Sequence, residues 1–208
     1  MKHAQPPEEH PPAGAGDMTL EWVEQARNGD RQAFHRLADR FQPEIYRMIY
    51  YRTRSQMDAE DLTQDVFLQA YNHLGRLKSP AVFRSWLYRI AVNRVRDYHR
   101  KKHFRSLFHF GSVDDENFQE TEAAAEQPQG AGNLARKEFW DRVARAMEGL
   151  SRLEKEVFML RFLDELSIKE ITTAMGKNES TVKTHLYRAL TKVKADFAGM
   201  DELLEGIG

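Results

Sequence analysis

Residues 151–194 read "SRLEKEVFMLRFLDELSIKEITTAMGKNESTVKTHLYRALTKVK", and the punctuation of this stretch decides the fold. Ser151 and Glu154 form a capping box, in which each side chain satisfies the other residue's backbone N–H at a helix start. Ser167 and Glu170 repeat the device. Gly176 then stands where a helix stops, because glycine enters the left-handed conformation of that position without a Cβ clash. Asn178 supplies the next N-cap. Two short helices separated by a glycine-containing turn of about three residues form the helix-turn-helix pattern.

The second of these helices has two faces. Val182, Leu186, Ala189, Leu190 and Val193 recur at helical spacing and predict the buried side. Ser180, Thr184, Tyr187, Arg188 and Thr191 centre on the opposite side, flanked by Thr181 and Lys183. Small hydroxyls allow close approach to base edges, an arginine can bond guanine in two places, and threonine methyls can meet thymine. Lys177, Lys183, Lys192 and Lys194 are expected to hold phosphates. The pattern points to the DNA major groove.

Working outward, residues 111–133, "GSVDDENFQETEAAAEQPQGAGN", are acidic and poor in large apolar residues. Such a composition predicts a flexible linker rather than a core element. Taken as 106–133, the linker would span about 30 Å as a random coil. Upstream, residues 76–105 carry ten Arg or Lys against one Asp, whereas 106–138 carry seven acids against two bases. The net charge of −1 over 208 residues conceals this segregation, which says more about partners than the sum does.

Within "SPAVFRSWLYRIAVNRVRDYHRKKHFR" (79–105), Ser79 as N-cap and Pro80 at the first turn predict a helix start. Phe83, Trp86, Leu87, Ile90 and Ala91 form one apolar stripe. Arg89, Asn93, Arg96 and Arg100 form a second, basic one. A solvated surface helix ordinarily mixes signs to gain i,i+4 pairs. This stripe lacks such acids and suits a phosphate backbone, which rewards unbalanced positive charge by counterion release. Tyr88 and Tyr98, with Trp86, are expected to offer ring faces to unstacked bases.

Three further helices precede it. The first is expected over 18–28; the second runs from Asp30 through Phe34, Leu37, Phe41, Ile45, Met48 and Ile49, with Pro43 expected to bend it. The third starts at Asp58 as N-cap and ends near His73. In "DAEDLTQDVFLQAY" (58–71), Leu62, Val66, Phe67 and Ala70 point inward. Asp58, Asp61, Gln64, Asp65, Leu68 and Gln69 point out. An outward leucine ringed by acids suits docking on a basic protein partner. The face is convex and has no ligand-caging loop, which argues against a divalent metal.

Cysteine is absent, which excludes disulfides and cysteine-ligated zinc in this chain and fits a reducing, cytoplasmic setting. No apolar run approaches the roughly 20 residues of a membrane span, so no membrane insertion is expected. His99 and His103, with His109 nearby, have the spacing of metal ligands but sit among positive charges, and no metal is assigned. No Ser/His/Asp grouping, phosphate loop or metal-spaced cluster points to catalysis or a cofactor, so the chain is read as no enzyme. Strand signals are nearly absent, four helical stretches precede residue 105 and four follow about 134. The expected fold class is all-α.

Taken together, "AEDLTQDVFLQAYNHLGRL", "FRSWLYRIAVNRVRDYHRKK" and "LEKEVFMLRFLDELSIKEITTAMGKNESTVKTHLYRALTKVK" resemble the bacterial sigma factors of the extracytoplasmic-function (ECF) group. The resemblance implies two small helical domains joined by a flexible acidic linker. Residues 18–105 would be sigma domain 2, a helix bundle, and 134–197 sigma domain 4, the helix-turn-helix; 1–17 and 198–208 would be tails. By family analogy, the block holding Asp58, Asp61, Gln64, Asp65 and Leu68 docks on the clamp helices of the largest subunit of core RNA polymerase. Arg89, Asn93, Arg96 and Arg100 would engage the promoter −10 element, and the loop from His73 to Phe83 would capture a flipped base. Ser180, Thr181, Lys183, Thr184, Tyr187 and Arg188 would read the −35 element. An anti-sigma factor is the further partner the resemblance implies. His185 departs from the arginine or serine frequent at its position in the family.

Overall fold

In the computed structural model, residues 15–108 and 147–196 are described. All regular structure among them is helical: α1 (Ala15–Arg27), α2 (Arg31–Thr53), α3 (Gln56–His73), α4 (Phe83–Phe108), α5 (Arg152–Phe162), α6 (Ile168–Met175) and α7 (Glu179–Asp196). Two single 3-10 turns, Leu74–Arg76 and Pro80–Val82, join α3 to α4. The expected linker beyond residue 108 and the first expected C-terminal helix up to residue 146 lie outside the described residues. α4 continues three residues past the expected linker start at 106.

Local chemistry explains most of these boundaries. Asp30 caps α2 by accepting from the N–H groups of Gln32 and Ala33. Pro43 lies inside α2, which continues through it to Thr53. α3 starts two residues earlier than expected. Ser55, not Asp58, is its N-cap, and the Ser55 hydroxyl accepts from the Asp58 N–H. Asp58 is left in the first turn, where its charge complements the helix dipole. Ser79 makes no side-chain cap bond, and α4 is entered through the Pro80–Val82 turn. Both C-terminal capping boxes form, and Gly176 ends α6 at φ +62°. The Asn178 side chain accepts from the Thr181 N–H at 2.8 Å, capping α7 as expected.

The N-terminal unit buries Val23 of α1, Leu37, Phe41, Ile45, Met48 and Ile49 of α2, Val66 and Ala70 of α3, and Phe83 and Leu87 of α4. Phe41 meets Phe83 edge-on at 5.3 Å. Leu74 and Leu77 pin the α3–α4 connection into the same core. In the C-terminal unit, Phe158 and Met159 of α5 pack with Ala189 and Val193 of α7.

The two units are docked. Val157, Leu160, Leu166, Ile171, Ala174, Met175 and Val182 belong to the same continuous core as α1–α4. α6 lies along α4, and Tyr51 of α2 packs against the α5–α7 cluster. The expectation of two modules separated by a tether therefore gives way to two modules in contact. α4 accordingly has three faces where the sequence showed two. Phe83, Leu87 and Ile90 face one way. Arg84, Tyr88, Val92 and Val95 form a second face about 100° round, set by helical spacing. Arg89, Asn93, Arg96 and Arg100 form the third.

Candidate nucleic-acid interfaces and docking face

The basic face of α4 is built on a rigid rod. Arg89, Asn93, Arg96 and Arg100 are all exposed. Arg100 pairs with Asp97 at 3.1 Å, a surface ion pair of little energetic weight. Arg94, on the other side, donates to the Gln69 side chain at 3.0 Å and ties α4 to α3. Tyr98 donates its hydroxyl to Asp58 at 2.8 Å. Burial, with this bond to the Asp58 carboxylate, pushes the Tyr98 phenol up to about 12.

The aromatic expectation fails at one position. Tyr88 is fully buried, with the Arg84 guanidinium 5.2 Å over its ring, and presents no face to a base. It lies on the α4 face that the C-terminal unit covers, a fact that spacing along α4 alone did not reveal. Trp86 is half-buried. The His73–Phe83 connection is anchored by Leu74 and Leu77, while Gly75, Arg76, Lys78 and Ala81 are exposed. This leaves a short, pinned loop beside the basic face.

On α3, Asp61, Gln64, Asp65 and Leu68 are exposed, and Leu68 shows 56% of its surface. Asp58 is half-buried and engaged by Tyr98, so it stands at the margin of this face. Met57 and Tyr71, 71% and 46% exposed, extend it at both ends. Met57, Asp61, Gln64, Leu68 and Tyr71 follow i, i+4, i+7, i+11, i+14, a continuous stripe of the kind that packs against another helix. The sequence reading missed Met57 and Tyr71, although the same spacing would have found them.

α7 presents Ser180, Lys183, Thr184, Tyr187 and Arg188 to solvent, with Thr181 half-buried at the edge and Tyr187 77% exposed. Val182, Ala189 and Val193 are buried beneath. The Ser180 hydroxyl donates to Asn178 Oδ1, and the Thr184 hydroxyl donates to the Ser180 carbonyl. Their oxygens remain acceptors. Lys183 is paired with Glu179 one turn back. Lys192 departs from expectation: its Nζ bonds Glu154 at 2.7 Å and the Gly149 carbonyl, so it braces α7 on α5 instead of facing phosphate. Among the described residues no three His, Asp or Glu side chains converge as metal ligands.

Two family models match the chain: sigma-70 region 2 over residues 37–105, and sigma-70 region 4 over residues 140–193. The E. coli ECF RNA polymerase sigma-E factor is 30% identical over 168 residues, covering 80% of this chain and 87% of that one. The chain belongs to the ECF sigma factors. BldN, an ECF RNA polymerase sigma factor of Streptomyces coelicolor, is 37% identical over 172 residues; the match takes in 82% of this sigma factor and 62% of BldN's length. In fold the chain is similar to the sigma factor RpoE of Bartonella quintana, solved with the anti-sigma factor NepR. That likeness has a TM-score of 0.61 at 19% identity and covers 80% of this chain and 97% of that one. The two matched regions of this sigma factor coincide with the N-terminal unit that carries the α3 stripe and the α4 basic face, and with the C-terminal unit that carries α7. No helix among the described residues is long and apolar enough to cross a membrane.

Proposed function

We propose that this sigma factor binds core RNA polymerase through the α3 stripe, holds the promoter −10 element on the basic face of α4, and reads the −35 element with α7. Residues 18–105 act as domain 2 and 134–197 as domain 4. The observation that carries this reading is the presence of three exposed faces of different chemistry on three helices, each fixed from behind by core packing. The α3 stripe is acidic around apolar anchors and complements basic, helical polymerase surface. Its occupant is taken to be the clamp helices of the largest subunit. Arg89, Asn93, Arg96 and Arg100 track the phosphate backbone of the separating strands. The pinned His73–Phe83 loop stands where a flipped base would be captured, and capture offsets the few kcal/mol that unstacking costs.

Neither DNA contact is large by itself. Held at a fixed separation by polymerase, the two act as one bivalent ligand, and affinity rises without any new contact. The protein acts as an initiation factor in the cytoplasm with polymerase, and catalysis belongs to the core enzyme. An anti-sigma factor is the proposed regulator, supported by the co-structure of the Bartonella quintana relative. Run-off transcription from a promoter library, with core enzyme alone and with core enzyme plus this chain, tests the reading. Defined starts only when the chain is present are expected; no chain-dependent start at any promoter would overturn it.

A further inference from the structure

The contact between the two units is not a loose apposition. Arg52 of α2 donates from Nη2 to Asp164 at 2.8 Å, from Nε to Glu156 at 3.0 Å, and from Nη1 to the Met48 carbonyl at 2.8 Å. Arg84 of α4 donates to Glu170 at 3.3 Å and to the Asp164 carbonyl at 2.9 Å, while also bonding Glu44. Arg52 and Asp164 are buried, with side chains 4% and 1% exposed. Leu166 and Ile171 are fully buried in the shared core. The Arg89 side chain reaches the end of α6, where a Cβ added to Gly176 would stand 3.8 Å from its Nη2.

This arrangement fits poorly with occupied DNA. Elements centred at −10 and −35 are some 25 base pairs apart, about 85 Å at 3.4 Å per pair. In the docked chain α6, the helix beside the DNA-reading α7, lies directly on α4. The two DNA-reading faces therefore do not span such a promoter. The 38 residues from 109 to 146 are long enough for separation, since an extended chain of that length reaches about 130 Å. Meanwhile the α3 stripe stays exposed in the docked state, so polymerase can bind before the units part.

We propose that the free sigma factor rests in a closed, self-inhibited conformation latched by Arg52 on Asp164 and Glu156 and by Arg84 on Glu170, and that core polymerase opens it. The inhibitory consequence rests on the assignment of α4 and α7 to the −10 and −35 elements; the closed conformation itself does not. The latch is suited to opening. A buried ion pair gives up hydration that its mutual attraction barely repays, so exchanging it for two hydrated charges costs little. Burial raises the Asp164 carboxyl more than the Arg52 guanidinium lowers it. The Tyr88 hydroxyl is buried with no hydrogen-bond partner and regains water on opening.

The chain has no cysteine, so His35→Cys and Lys169→Cys, on exposed positions of α2 and α6, allow specific dye labelling for energy transfer. High transfer is expected in the free chain and low transfer with core polymerase bound. Arg84→Glu and Arg52→Met should each lower transfer in the free chain, with the helical circular-dichroism signal confirming a folded protein. Arg84→Glu lies outside the proposed DNA and polymerase faces and should reach half-maximal run-off at several-fold less core enzyme. The proposal is overturned if the free parent already shows the low transfer of the bound form, if folded latch variants keep the parent's high transfer, or if transcription proceeds with transfer unchanged. Failure of polymerase to bind at all would refute the proposed function instead, and high transfer in the free chain would still report the closed state.

Discussion

Arg52 and Asp164, 112 positions apart, meet at 2.8 Å in a site closed to solvent. Burial alone would lower the Arg52 guanidinium, but Glu156 and Asp164 outweigh it and keep the group charged. Removing one member strands the other. Arg52→Ala should cost about 3–5 kcal/mol, the typical penalty for an uncompensated buried charge. Denaturant unfolding of the intact chain measures it. Arg52→Met combined with Asp164→Leu should recover much of the loss. Arg84→Ala, whose side chain is 29% exposed, should cost about 1 kcal/mol or less.

Leu68→Arg should abolish binding to core polymerase without lowering the thermal midpoint, because Leu68 is exposed and packs on nothing in the chain's core. Met57→Ala and Tyr71→Ala should each weaken binding, by about 1 kcal/mol or more if they act as anchors. Pull-down with core enzyme beside a thermal melt separates binding from folding. Retained binding by Leu68→Arg would remove α3 as the docking face.

Glu154 is held down at about 2, first by the Lys192 ammonium and then by the Ser151 N–H. A carboxyl lowered in the fold stabilises fully above its ordinary value of 4.5, where it is ionised folded and unfolded alike. That contribution disappears as pH falls from there toward 2, because the unfolded state takes up the proton first. Glu154→Gln should therefore flatten the acid limb of the stability profile in this window. Lys192→Ala should do the same in part. Melts from pH 7 to pH 2 report both.

On α7, Arg188→Ala should relax preference at one base pair of the −35 element, by about 1–3 kcal/mol if Arg188 bonds a guanine in two places. Lys177→Ala should instead weaken all −35 sequences alike and make the salt slope shallower by about 0.9. Binding of holoenzyme to a −35 library at two salt concentrations distinguishes the roles.

The helical content of this protein and its recognition unit were legible residue by residue. Ser151, Ser167, Gly176 and Asn178 act on their own neighbours, so caps and turns could be read without any knowledge of distant contacts. The exposed members of α7 and of the α4 basic stripe followed from period alone, because helical geometry spaces side chains whatever packs behind them. Asp58 was misplaced as a cap because Ser55 and Asp58 are both good cap residues three positions apart, and local preference does not rank them.

What the tertiary structure alone decided is where the third face of α4 goes. Tyr88 has the same composition cues as an exposed base-stacking ring, and Lys192 the same cues as a phosphate contact. Only the arrival of α6 on α4, and of Glu154 under α7, turned them inward. The pairing of Arg52 with Asp164 is equally silent in one dimension, since a charge advertises its need for a partner but not its partner's position. Short-range bonding wrote the helices into the chain; long-range burial, which depends on how whole faces fit, chose which of their charges lock the two units and which are left to meet polymerase and DNA.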